Sequence, residues 1–153
     1  DQIMTDQMNE VDLDGLGVSA RVTLAIRTRI EALGPNREAA RRAAGYFAMP
    51  QNAGLGLVCL SRTVDAIWRA AGDRSTDFSY YTKRATLTGI YGATLLYWLD
   101  DNSEGSEQSW EFLDRRIQDT GRVHHLRERA KRLTKGLPDP FKLLKMARSG
   151  NIR

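Results

Sequence analysis

An all-α helical bundle is the fold class that this chain of 153 residues predicts, and three observations carry it. Apolar residues recur at spacings of three and four almost everywhere along the chain. No segment alternates apolar and polar residues between turn signals, as a half-buried strand would. The strongest breakers, Gly34-Pro35, Pro50 and Gly72, fall where the helical period lapses. The length suits one domain with a core large enough to need no metal or disulfide staple.

The elements follow in order. Residues 1–17 are acidic and lack the apolar run of a signal peptide. They are expected to be a leader, cut short if the chain is truncated. Val18, Val22, Ile26, Ile30 and Leu33 form one stripe, so 18–33 reads as an amphipathic helix. Asn36 is placed to cap the next helix, REAARRAAGYFA, which stops before Pro50. A longer helix covers about 53–71. Ser75, Thr76 and Asp77 then offer side-chain oxygens to the free amides of a helix from Phe78 to Leu99. Asp100 to Gly105 is a polar turn, and SEQSWEFLDRRIQD starts a helix with Trp110, Leu113 and Ile117 on one face.

Residues 85–99, ATLTGIYGATLLYWL, carry no charge over fifteen positions. A bilayer span needs about 20 apolar residues, and the glycines, threonines and tyrosines weaken this run further. It reads as the central helix of the core, buried on more than one side. Ala85, Gly89, Gly92 and Ala93 would allow close approach of neighbours, including a second copy of the chain.

Charge is unevenly spread. From Gly121 onward ten Lys or Arg face two acidic residues, leaving +8; residues 1–120 hold thirteen against seventeen, leaving −4. Residues 121–138 are expected to be a basic helix or linker. In 139–153, Lys142, Lys145 and Arg148 form one stripe beside Phe141, Leu143, Leu144 and Met146. Such a short basic amphipathic helix suits an anionic bilayer surface, with Phe141, Lys142, Leu144, Lys145 and Arg148 as the contacts. Simple docking onto the domain is the other reading. No nucleic-acid partner is expected.

The sequence argues against catalysis. Adjacent His124 and His125 point about 100° apart on a helix and cannot converge on a metal. The single cysteine, Cys59, excludes an internal disulfide and reads as a buried structural thiol among Leu55, Leu57, Val58 and Leu60. Tyr80 and Arg84 share a helix face, yet arginine stays protonated and is a poor proton relay. They and Lys83 read as a polar first turn that pairs with Asp73 and Asp77, while Phe78 and Tyr81 pack inward. No cofactor, metal site or catalytic residue is expected.

Two stretches, WRAAGDRSTDFSYYTKRATLTGIY from Trp68 to Tyr91 and SWEFLDRRI from Ser109 to Ile117, resemble the ubiquinone-biosynthesis accessory family called coenzyme Q protein nine. Met49-Pro50-Gln51-Asn52 fits the same pattern. The resemblance covers about residues 20–120, so 18–120 is the expected helical lipid-binding domain. It implies a bundle like the ligand-binding domain of tetracycline-repressor-type regulators, commonly dimeric through its last core helices. It implies a non-enzymatic protein that binds an isoprenoid lipid or ubiquinone intermediate and presents it to a di-iron hydroxylase. The expected site is peripheral on an inner membrane, facing the bacterial cytoplasm or the mitochondrial matrix.

Leu55, Trp68, Leu87, Tyr91, Leu95 and Trp98 are the candidate walls of the lipid site. By the same resemblance, Met49, Pro50, Asp65 and Trp68 are the candidate hydroxylase contacts. Trp68 therefore holds two candidate roles, and burial beneath the AGD turn is a third. The alternative function is the ligand-binding half of a transcriptional regulator, whose DNA-reading three-helix unit would need more than the seventeen residues before the first strong helix.

Overall fold

The computed structural model describes residues 2–11, 13, 15–72 and 79–134, with backbone alone at 79–80 and 122–134. Six α-helices account for nearly all of them: α1 Gln2–Glu10, α2 Val18–Glu31, α3 Arg37–Ala48, α4 Ala53–Ala70, α5 Ser79–Asp100 and α6 Glu107–Thr134. No strand occurs among the described residues, and the all-α expectation holds. The chain divides into two compact units, Asp1–Gln118 and Asp119–Arg153, and the core lies in the first.

The N-terminal segment departs from the expected leader. Residues 2–10 form α1, and Met4 and Met8 are fully buried in the same cluster as α2 and α4. Two methionines four apart reach one helix face, and burying each contributes about 2 kcal/mol. In α2 the buried stripe is Val22, Ala25, Ile26 and Ile30, while Val18 is exposed. Asn36 stands at the N-cap of α3 without making a side-chain capping bond.

Breakers work as the sequence suggests. A short 3₁₀ turn, Gly34–Asn36, links α2 to α3, and α3 ends at Ala48 before Pro50. Gly72 follows α4 with φ +82, a left-handed position that suits glycine. Gly56 on α4 lies close against α3: a Cβ there would sit 2.9 Å from the Phe47 Cβ. Helix α6 is Glu107–Thr134, ending later than the SEQSWEFLDRRIQD stretch suggests.

Within α5 the uncharged run 85–99 buries Leu87, Ile90, Tyr91, Thr94, Trp98 and Leu99. The first five share one stripe, with Leu99 flanking it. Its opposite side, Ala85, Gly89, Ala93 and Leu96, is exposed. Burial on more than one side is thus corrected: within the first unit the run 85–99 is buried along one side only, although it carries no charge on either. Tyr81, expected to pack inward, is 74% exposed. No helix among the described residues is long and apolar enough to cross a membrane.

Charged groups fix both ends of the α5–α6 corner. The Arg37 guanidinium donates to the Trp98 and Asp101 carbonyls, and Arg41 donates to the Leu99 carbonyl. Carbonyls at the end of a helix lack the amide that the next turn would supply, and cations are favoured there; the Trp98 carbonyl also accepts the Asp101 amide at 3.2 Å. Asp101 then holds the start of α6, accepting the Ser103 amide at 2.8 Å, the Ser109 amide at 2.9 Å and the Ser109 hydroxyl at 2.6 Å. Burial alone would push its carboxyl up, but those bonds outweigh burial and hold it far below the usual carboxylate range.

Candidate functional site

Five of the six candidate wall residues meet in the core. Trp68 comes from α4, and Leu87, Tyr91, Leu95 and Trp98 come from α5. Leu87, Tyr91, Leu95 and Trp98 recur at spacings of four, four and three, which places them on one side of the helix. Trp68, Leu87, Tyr91 and Trp98 are buried in one apolar cluster, with Leu95 partly buried against it. Leu55 is apart from them, 54% exposed on the first half of α4. Sequence spacing could not settle this, because the first half of α4 is apolar on every side.

The cluster carries polar atoms at its margins. Burial pushes the Tyr91 phenol above its ordinary value, and the charge of Arg29 offsets part of that, so the phenol stays neutral at physiological pH. The Lys83 ammonium lies 5.5 Å from the centre of the Trp68 ring, a cation–π contact. Arg37 stacks over Trp98 at 4.7 Å. The Trp68 indole Nε1 is buried and has no hydrogen-bond partner.

The candidate hydroxylase contacts do not form one patch. Met49 and Pro50 are exposed at the α3–α4 turn. Asp65 is half-buried and bonds Arg84 at 2.5 Å, and Trp68 is 92% buried, being only 8% exposed. At 1.5 Å of rise per residue, α4 separates the two pairs by about 20 Å. Sequence reasoning missed what surrounds the first pair: Tyr46, Leu55, Leu57 and Val58 are also exposed there. Between Glu38 and Asp65 the sequence has no carboxylate but has Arg41, Arg42 and Arg62. The missing carboxylates were the signal.

Other expectations are redistributed. Arg84 pairs with Asp65, across to α4. Cys59 is exposed, not a buried structural thiol, because the side of α4 it shares with Leu55 and Val58 is uncovered. Among the described residues no group of three or more His, Cys, Asp or Glu could hold a metal ion. A surface groove of about 620 Å³ opens at the α5–α6 corner between Leu96, Tyr97, Asp100, Asp101, Asn102, Ser103 and Gln108, and no candidate wall residue lines it. Asp73, Ser75, Thr76, Asp77, Phe78 and the membrane candidates Phe141, Lys142, Leu144, Lys145 and Arg148 lie outside the described residues.

Comparison with known proteins bears on the same segment. The COQ9 family model matches residues 53–124, which takes in α4, α5 and most of α6. The ubiquinone biosynthesis protein COQ9, mitochondrial, of Rattus norvegicus is 42% identical over 107 residues, 70% of this chain and 34% of that protein. Its namesake in Homo sapiens is 38% identical over 107 residues, with the same two shares, 70% and 34%. The protein of that name in Xenopus tropicalis is 43% identical over 95 residues, 62% of this chain and 30% of its own length. The chain thus spans about a third of the length of the curated relatives it matches.

Proposed function

Because residues 53–124 carry a COQ9 domain, we propose that this chain is a non-enzymatic accessory component of ubiquinone biosynthesis. It holds an isoprenoid quinone intermediate along the α4–α5 seam and presents it to a membrane-associated di-iron hydroxylase. The observation that carries the reading is the convergence of Trp68, Leu87, Tyr91, Leu95 and Trp98 on one apolar cluster. A polyprenyl chain is nearly insoluble in water, so its carrier must supply apolar, aromatic walls with few polar groups. The cluster offers that chemistry, and the relatives' names supply the pathway.

The remaining surfaces divide the work. Met49 and Pro50, with Tyr46, Leu55, Leu57 and Val58 around them, form the apolar contact for the hydroxylase, and the neighbouring arginines favour a partner with carboxylates at the rim. Phe141, Lys142, Leu144, Lys145 and Arg148 hold the chain to anionic lipid. At roughly 1 kcal/mol per basic residue this attachment is reversible. The exposed side of α5, Ala85, Gly89, Ala93 and Leu96, faces a second copy of the chain together with α6. The protein works on an inner membrane, at the matrix face in a mitochondrion or the cytoplasmic face in a bacterium.

Extraction of lipid from protein purified out of a ubiquinone-making host, followed by mass spectrometry, tests the function. Recovery of an isoprenoid in repeated preparations is the expected result. Repeated recovery of no lipid contradicts it. Deleting residues 139–153 should reduce sedimentation with anionic vesicles, and unchanged sedimentation would remove the anchor.

A further inference from the structure

Trp68 is the one candidate wall residue whose burial leaves a polar hydrogen unsatisfied. Its side chain lies in the cluster with Leu87 and Tyr91, yet the indole Nε1 has no acceptor. Buried polar groups nearly always have a partner, and one without calls for a cause such as a ligand or a water. Indole nitrogen is a donor only, so whatever satisfies it must present a lone pair. One face of the ring meets the Lys83 ammonium at 5.5 Å, which adds positive potential at the same margin. Electron-rich oxygen is the group that both features favour.

We propose that the Trp68 Nε1–H donates to a ring oxygen of the bound lipid, a quinone carbonyl or a phenol, and so selects prenylated aromatic oxygen compounds over prenyl chains lacking oxygen. This assignment rests on the lipid-binding reading and fixes the polar end of the ligand at Trp68. The prenyl chain then lies along Leu87, Tyr91, Leu95 and Trp98 of α5. The Trp68 Nε1–H has no acceptor among the protein's own atoms, and the head-group oxygen supplies one. Discrimination follows, since a ligand without the oxygen leaves the donor unpaired.

The test replaces Trp68 with 3-benzothienylalanine, which keeps the ring shape and exchanges N–H for sulfur. Trp68→Phe serves as a second variant. Binding of a short-chain prenyl benzoquinone and of a polyprenyl hydrocarbon of similar carbon number is measured by calorimetry in one detergent. The wild type is expected to bind both, the quinone more tightly. The benzothienyl variant should lose roughly tenfold in quinone affinity and bind the hydrocarbon as the wild type does. Equal quinone affinity in the wild type and the benzothienyl variant overturns the donor assignment while leaving lipid binding in place. A wild type that binds neither compound overturns the lipid-binding reading, and the assignment with it. Equal losses for both ligands would mark Trp68 as a packing residue and also overturn the proposal.

Discussion

Replacing Asp101 with Ala should unfold the α5–α6 corner at markedly lower temperature. The carboxylate is buried and accepts the Ser103 amide at 2.8 Å, the Ser109 amide at 2.9 Å and the Ser109 hydroxyl at 2.6 Å. Ser109 is itself fully buried, so removing Asp101 strands two donors where water does not reach them. Hydrogen bonds to a charged group contribute about 1.5–3 kcal/mol, and a stranded buried donor costs about 1–3 kcal/mol. These overlap and do not simply add, so the variant should lose about 3 kcal/mol. For a protein of this size that is roughly 6–12 °C in Tm by calorimetry.

The pH dependence gives a second signature. The folded-state carboxyl is held below its ordinary value. Its contribution is therefore fully present above the unfolded value of about 4 and disappears as pH falls through the depressed folded value. The Tm gap between wild type and Asp101→Ala should stay constant from about pH 5 upward and shrink below about pH 4. A gap at neutral pH of less than about 2 °C would refute the reasoning, since it would mean that the carboxylate stabilises little.

Three further outcomes test other parts of the account. Arg37→Met removes the donor to the Trp98 and Asp101 carbonyls and should cost about 1–3 kcal/mol in urea unfolding; an unchanged midpoint would show that water caps α5 as well. Gly56→Ala places a Cβ 2.9 Å from the Phe47 Cβ, an atom fixed to the backbone of α3. The helices must separate, and a loss of about 1–3 kcal/mol is expected, whereas a neutral or stabilising change would contradict the close approach. Leu96→Glu puts a charge on the exposed side of α5 and should convert a dimer to a monomer in light scattering; a monomeric wild type at micromolar concentration would remove the dimer altogether.

Much of this fold is legible in the sequence because breakers are local. Gly34-Pro35, Pro50 and Gly72 end helices through their own backbone chemistry, whatever packs around them. Burial is less legible. Met4 and Met8 sit in an acidic stretch too short to show a period, and only their contact with α2 and α4 reveals α1 as core. Cys59 and Leu55 read as interior because their neighbours are apolar, but no described helix covers that side of α4. The Asp100-Asp101 pair reads as one polar turn. Which carboxylate turns inward depends on the register of α6, through Ser109 eight residues on. For the candidate site, spacing placed Leu87, Tyr91, Leu95 and Trp98 on one side of α5, while the depth of Trp68 required the packed structure.

Photolabelling offers the most direct measurement of where lipid sits. A prenyl quinone carrying a diazirine on its chain would be bound, irradiated and mapped by peptide mass spectrometry. The account predicts adducts on α4 and α5 centred on Trp68, Leu87, Tyr91, Leu95 and Trp98, suppressed by unlabelled quinone. Specific labelling confined to other helices, or no suppressible labelling anywhere, would contradict it.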